Sequence, residues 1–180
     1  MRRPSRTGPP DLKTVGIVGR QNSGKTHLVV RLVAEFRRRG QSVSTIKHTH
    51  HHDIELDSPG KDSYRHREAG AREVLVASDH RWFLMHTVEK GSPPALGELI
   101  ARLAPCDLVL IEGYKGFAGH PRIEVHRPAV TGAAEPLAAM DPSILAVACP
   151  TEAATARWTS AARHLDLDDT AAIADFIAAH

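Results

Sequence analysis

"GRQNSGKT" occupies residues 19–26, and its reading decides the fold. The run matches G-x-x-x-x-G-K-[ST] at every specified position. Gly19 and Gly24 let the chain wrap tightly with its backbone N–H groups turned inward. Those groups, with the start of the following helix, bind phosphate oxygens. Lys25 is the side chain that reaches the β- and γ-phosphates, and the Thr26 hydroxyl is a ligand for Mg²⁺. Arg20, Gln21, Asn22 and Ser23 make the body of the loop, and His27 follows it into the helix. Residues 19–27 are therefore the candidate nucleotide-binding run. A chance match to this pattern in 180 residues is on the order of one per cent or less.

The surroundings supply the context that the pattern requires. "KTVGIVG" (13–19) is a short apolar strand. In residues 23–40, Leu28, Leu32, Val33 and Phe36 recur at helical spacing. Arg37, Arg38 and Arg39 crowd the last turn, where cations suit the helix dipole, and Gly40 suits the position just beyond. Residues 41–49 read as a second strand, 51–62 as a loop and 63–71 as a run that begins with a short helix. Residues 72–79 and 81–89 read as a hairpin turning at Asp79 and His80. A helix over 92–105 has Ser92 as its N-cap candidate. "DLVLIEGYK" (107–115) is almost continuously apolar, as expected of a strand buried on both faces. Strands follow at 122–127 and 143–150, and a helix over 168–180 is capped by Asp169 or Thr170. Strands alternating with helices predict an α/β fold with a mostly parallel sheet of P-loop NTPase type, flanked by helices and extended by the hairpin. Residues 1–12 are expected to form a flexible basic tail, and 13–180 a single nucleotide-binding domain.

Position along this sheet nominates further residues. Glu112 closes the buried strand and is followed by Gly113. A carboxylate there can hold the Mg²⁺ water shell or the attacking water. Ligands of such sheets bind outside the carboxyl ends of the strands. Lys47 and His48, at the end of the second strand, are thus expected beside the phosphates. Lys25, Glu112 and Asp62 are the candidate catalytic residues, and Thr26 and Glu112 the candidate Mg²⁺ ligands. Asp62 lies in the polar run "DSPGKDSYRHREAGA" (57–71), where loops of P-loop proteins often sense the nucleotide. "ACPTE" (148–152) is a candidate part of the base pocket by position alone.

"IKHTHHHD" (46–53) invites a metal reading. In an extended strand His48, His50 and His52 share one face, about 7 Å apart, and His51 takes the other. Only a bend in the chain would converge them on zinc or nickel.

Composition excludes several classes. A net charge of +2 gives no case for a nucleic-acid partner. No apolar run approaches the ~20 residues of a membrane span, and the basic N-terminus lacks a secretory apolar segment. The two cysteines, Cys106 and Cys149, form no CxxC pair and read as reduced, buried thiols of a cytoplasmic protein.

The ordered set of the GxxxSGKT loop, the Lys-His-Thr-His segment, "DSPGKDSYRHREAGA" and "DLVLIEGYK" followed by "PRIEVHR" resembles the molybdopterin-guanine dinucleotide biosynthesis protein B family. The likeness runs from Val15 to Arg127. It implies a GTP-binding accessory protein of molybdenum cofactor maturation, with weak Mg²⁺-dependent GTP hydrolysis. It implies dimers formed through the sheet region. It also implies help to the molybdenum cofactor guanylyltransferase, with molybdopterin or molybdoenzymes as further candidate partners. Residues 19–26, Glu112 and the loop around Lys47–His50 carry over. The chain lacks the [NT]KxD motif that usually reads guanine, so its residues alone do not separate GTP from ATP. Two alternatives stay open: a metallochaperone GTPase using the His-rich loop, and a small-molecule kinase with Asp62 as base.

Overall fold

The structure, a computed structural model, describes residues 12–49, 57–89, 91–114, 119–152, 158 and 160–180. Residues 1–11 of the expected tail, and His50, His51 and His52, lie outside the described residues. The chain divides into two compact units, one of residues 1–48 and 99–180, the other of residues 49–98.

The larger unit is an α/β layer structure. Among the described residues its sheet has six strands: β1 (Lys13–Val18), β2 (Val43–Lys47), β5 (Leu108–Glu112), β6 (Arg122–Val125), β7 (Ile144–Cys149) and β8 (Arg163–Asp166). The spatial order is β2-β5-β1-β6-β7-β8, and every neighbouring pair is parallel. Central strands of such a sheet bury both faces, which is why "LVLIE" is buried at all five positions. Alternation assigns the faces. Ala146 and Ala148 of β7 join the core that Val15, Ile17, Leu28, Leu32, Phe36 and Ile173 build. Val147 and Cys149 point the other way, into a smaller cluster with Val18 and Ile144.

Two helices cover the first face. α1 (Lys25–Arg38) turns Leu28, Val29, Leu32 and Phe36 inward, as their spacing predicts. It ends at Arg39, and Gly40 takes φ 81°; the Gly40 and Gln41 N–H groups cap the Arg37 and Phe36 carbonyls. α5 (Thr170–Ala179) starts at Asp169, whose carboxylate accepts the Ala172 N–H at 2.8 Å. The buried Glu124 carboxylate of β6 accepts the Leu137 and Ala138 N–H groups, which satisfies both the charge and the start of a 3₁₀ helix.

The smaller unit contains α2 (Asp62–Glu68), β3 (Glu73–Ala77) and β4 (Trp82–His86). β3 and β4 pair antiparallel as expected, and form a two-stranded sheet of their own. The Ser78 N–H and hydroxyl both donate to the Arg81 carbonyl across the turn.

Four expectations change. α3 (Leu96–Arg102) starts later than the expected helix over 92–105, and Ser92 does not cap it. The Pro93–Pro94 pair pushes the residues before each proline out of helical geometry. The Glu98 carboxylate instead accepts the Ala95 N–H at 3.3 Å, half of a capping box. β8 and the short helix α4 (Pro128–Thr131) were not expected: four residues each are too few for periodicity to register. Cys106 is only half-buried, whereas Cys149 is buried, with its thiol pushed up to about 11 by burial.

Candidate functional site

Gly19 follows β1 at φ 148° with the loop closed over it. A Cβ there would stand 2.6 Å from the Val125 carbonyl oxygen and 2.7 Å from Ser23 Oγ. Ser23 is fully buried, and its hydroxyl has no hydrogen-bond partner among the described residues. Asn22, at φ 59°, takes the left-handed conformation that Asn tolerates better than most residues. Arg20 and Gln21 are exposed on the outside of the turn. Gly24 sits at φ 98° as the N-cap residue of α1, with no side chain to cap the first turn. That turn's N–H groups thus rely on something other than a capping side chain. Lys25 folds back on the loop, its Nζ donating to the Arg20 carbonyl at 2.7 Å and the Gly19 carbonyl at 3.2 Å. His27 is exposed at the next position.

Three strand ends converge here. Lys47 and Ile17 both stand in register with Glu112, so β2, β1 and β5 finish side by side. The Thr26 hydroxyl donates to Glu112 Oε1 at 2.6 Å. Glu112 is only 7% exposed, so this carboxylate faces the loop rather than solvent. The Lys47 ammonium stands 3.4 Å from Glu112 Oε1 and 3.3 Å from Thr26 Oγ1. The hydroxyl–carboxylate pair thus already draws a cation. Gly113 takes φ 92° and approaches the next strand closely: a Cβ would lie 3.2 Å from the His48 carbonyl oxygen. The His48 N–H donates to the Glu112 carbonyl, and its ring packs 4.7 Å from that of Tyr114. Burial pushes the Tyr114 phenol above its usual range.

The donor set fits a Mg²⁺-bound nucleotide. Thr26 and Glu112 offer hard oxygen donors, and Mg²⁺ commonly takes one or two protein ligands beside substrate phosphates. The closed cradle at Gly19 and the buried Ser23 hydroxyl give the loop a fixed, polar interior.

Asp62 is the first residue of α2, exposed, in the smaller unit. The metal reading of His48–His52 rests mainly on residues outside the described ones. Among the described residues no group of three or more His, Cys, Asp or Glu could hold a metal ion. No helix among them is long and apolar enough to cross a membrane.

The structure also adds residues that sequence reasoning missed. A cavity of about 210 Å³ opens beside Gly24 and His27. Arg31, Arg127, Leu167 and Asp168 line it, with Pro150 of the "ACPTE" segment. Arg31 carried a weak signal, one helical turn beyond His27. Asp168 falls within the helix expected over 168–180, whereas the structure places it between β8 and α5. Thr151 of "ACPTE" donates instead to Asp166 at 3.1 Å.

Comparison with known proteins agrees with this architecture. The profile of the family described as molybdopterin guanine dinucleotide synthesis protein B matches residues 14–150. A molybdopterin-guanine dinucleotide biosynthesis adapter protein of Haemophilus influenzae is 39% identical over 165 residues, 91% of this chain and 86% of that one. The protein of the same name from Escherichia coli strain K12 is 43% identical over 95 residues, 52% of this chain and 54% of that one. A crystal structure of molybdopterin-guanine biosynthesis protein B superposes with a TM-score of 0.66 at 28% identity, covering 92% of this chain and 97% of that one. A Bacillus subtilis MobB structure gives 0.65 at 26% identity, covering 93% and 97%.

Proposed function

The chain belongs to the molybdopterin guanine dinucleotide synthesis protein B family, and from that premise we propose that it is a GTP-binding accessory protein in molybdopterin guanine dinucleotide biosynthesis. Its partner is the guanylyltransferase that attaches the nucleotide to molybdopterin, and both work in the cytoplasm. The observation that carries the nucleotide part is the 2.6 Å hydrogen bond from Thr26 to the buried Glu112, directly beneath a phosphate loop.

The residues divide the work. The backbone N–H groups of residues 20–25 and the start of α1 hold phosphate oxygens. Lys25 leaves the loop carbonyls to meet the terminal phosphates, and Lys47 adds a second positive charge there. Thr26 and Glu112 would hold Mg²⁺, whose role is to offset charge on the β- and γ-phosphates.

Hydrolysis is expected to be slow. Fast P-loop GTPases orient water with a glutamine or a similar group and neutralise charge with an arginine finger. Gln21, within the loop, faces outward. An adapter that holds nucleotide for a partner enzyme needs no fast turnover.

A homodimer is part of the proposal. The hairpin exposes Leu75 (58%), Trp82 (66%), Phe83 (40%) and Leu84 (40%), a concentration of apolar surface that favours a protein contact.

Single-turnover hydrolysis of Mg·GTP, with and without the guanylyltransferase, tests the role. Slow intrinsic turnover and a higher yield of dinucleotide cofactor in the presence of this chain are expected. A fast intrinsic GTPase with no effect on the partner contradicts the proposal.

A further inference from the structure

We infer that Asp168 is the carboxylate that selects guanine, at the mouth of the cavity beside the phosphate loop. The inference rests on the GTP-binding reading above and assigns its base specificity to a residue.

Location comes first. The cavity is walled by Gly24, His27 and Arg31 on the phosphate-loop side and by Pro150, Leu167 and Asp168 on the other. A nucleotide whose phosphates lie on residues 19–26 therefore meets this space as its next neighbour. Its volume of about 210 Å³ falls below the ~300 Å³ at which pockets begin to take whole drug-sized ligands. That suits the base of a nucleotide whose phosphates are bound elsewhere. Pro150 and Leu167 offer apolar surface to a flat ring.

Chemistry comes second. Among the described residues Asp168 is the one acidic residue lining the cavity, and its side chain is 89% exposed. A carboxylate offers two acceptors. Guanine presents two donors side by side, N1–H and the N2 amine. Adenine presents an unprotonated N1 on that edge, which a carboxylate repels. Xanthine puts a carbonyl oxygen where guanine has the amine, and is repelled in the same way. The chain has no [NT]KxD motif to supply the acceptor from elsewhere.

Support comes third. The Arg31 guanidinium donates to the Leu167 carbonyl, and to that of Asp168 at 3.4 Å. The Asp168 N–H donates to Asp166 Oδ1 at 2.9 Å, and the Asp169 N–H to the Asp166 carbonyl at 3.2 Å. The backbone of Asp168 is thus held on both sides. Among the described residues its carboxylate makes one long contact, 4.0 Å, to Arg31 Nη1. Arg31 is a positioning residue in this arrangement: it presents the 167–168 turn to the cavity. Arg127 lies over Gly24, its Nη1 3.7 Å from where a Cβ would stand, and adds positive charge at the phosphate end.

The test is calorimetric titration of the full chain, with Mg²⁺, using GTP, ATP and XTP, for wild type and Asp168→Asn. An asparagine can donate to the xanthine carbonyl while still accepting from N1–H. Wild type is expected to prefer GTP. The variant is expected to lose GTP affinity by about tenfold or more and to bind XTP more tightly than GTP. A gain for XTP cannot arise from misfolding. Wild-type GTP preference with an unchanged profile in Asp168→Asn overturns this inference and leaves the GTP-binding reading standing. Loss of all three nucleotides in the variant also overturns it, since a group that reads only the base leaves XTP bound. Equal affinity of wild type for GTP and ATP overturns both.

Discussion

The Thr26–Glu112 pair joins a loop to a strand end 86 residues away in sequence, and it is where charge and geometry meet most closely. Thr26→Ala is expected to keep the fold while removing one charge-assisted hydrogen bond and, on the proposed reading, one Mg²⁺ ligand. Nucleotide affinity in the presence of Mg²⁺ is expected to fall about tenfold or more, with little change when EDTA is present. Equal losses in both titrations would assign Thr26 a packing role only. Gly19 makes a second prediction. A methyl group there meets the Val125 backbone oxygen at 2.6 Å, and backbone cannot swing aside as a side-chain tip can. Gly19→Ala is expected to cost at least about 1–3 kcal/mol in urea unfolding, or to open the loop and abolish nucleotide binding. Gly40→Ala has open space around it, so only its φ of 81° opposes the change, at about 1–2 kcal/mol. Much of this was legible in advance. The spacing of Gly19, Gly24, Lys25 and Thr26 encodes a local geometry, and Glu112 sits where a buried apolar run stops. The burial of Ser23 and the role of Lys47 as partner to Glu112 were not legible, because both depend on contacts between segments far apart in sequence.

At the scale of elements, the site depends on how α1 is set against the sheet and against α5. Glu35 holds that arrangement from the α1 side. It accepts from Arg38 and Arg39, and Arg39 also donates to Asp175 of α5 at 2.6 Å. The side-chain hydrogen bond from Arg38, then that from Arg39, lowers the Glu35 carboxyl from 4.5 to about 2. A carboxyl whose folded value is depressed favours the folded state fully above its unfolded value. That contribution fades as pH falls from about 4.5 through about 2. Glu35→Gln is therefore expected to flatten the acid limb of the stability–pH curve, lowering stability at pH 7 and changing little near pH 2. Arg38 and Asp175 are exposed, so salt should weaken the effect as well. An acid limb identical to wild type would contradict the assignment. α1 and α5 were readable because long apolar periods and capping residues agree. α3 was misjudged at its start because Pro93 and Pro94 outweighed Ser92. β8 was invisible because an edge strand burying only Leu165 of its four residues leaves no alternation to detect. The helix expected over 168–180 likewise took in Asp168, which precedes α5.

At the scale of the whole molecule, the parallel sheet followed from the alternation of elements, and its order could not be read without the pairing. The hairpin was recognised as a hairpin, but its separation as a two-stranded sheet within a second compact unit depends on contacts that no local pattern reports. Its exposed apolar residues carry the homodimer proposal. Trp82→Glu with Leu84→Glu is expected to shift sedimentation from dimer to monomer; an unchanged dimer would move the interface elsewhere. The central claim, that this chain is a guanine-nucleotide binder working through residues 19–26, is tested most directly by one calorimetric comparison. Wild type and Lys25→Ala are titrated with GTP and with ATP, each with Mg²⁺. The account predicts stoichiometric GTP binding by wild type, clearly weaker ATP binding, and loss of GTP binding in Lys25→Ala. Failure of wild type to bind GTP, or a Lys25→Ala variant that binds it as tightly as wild type, would contradict the account.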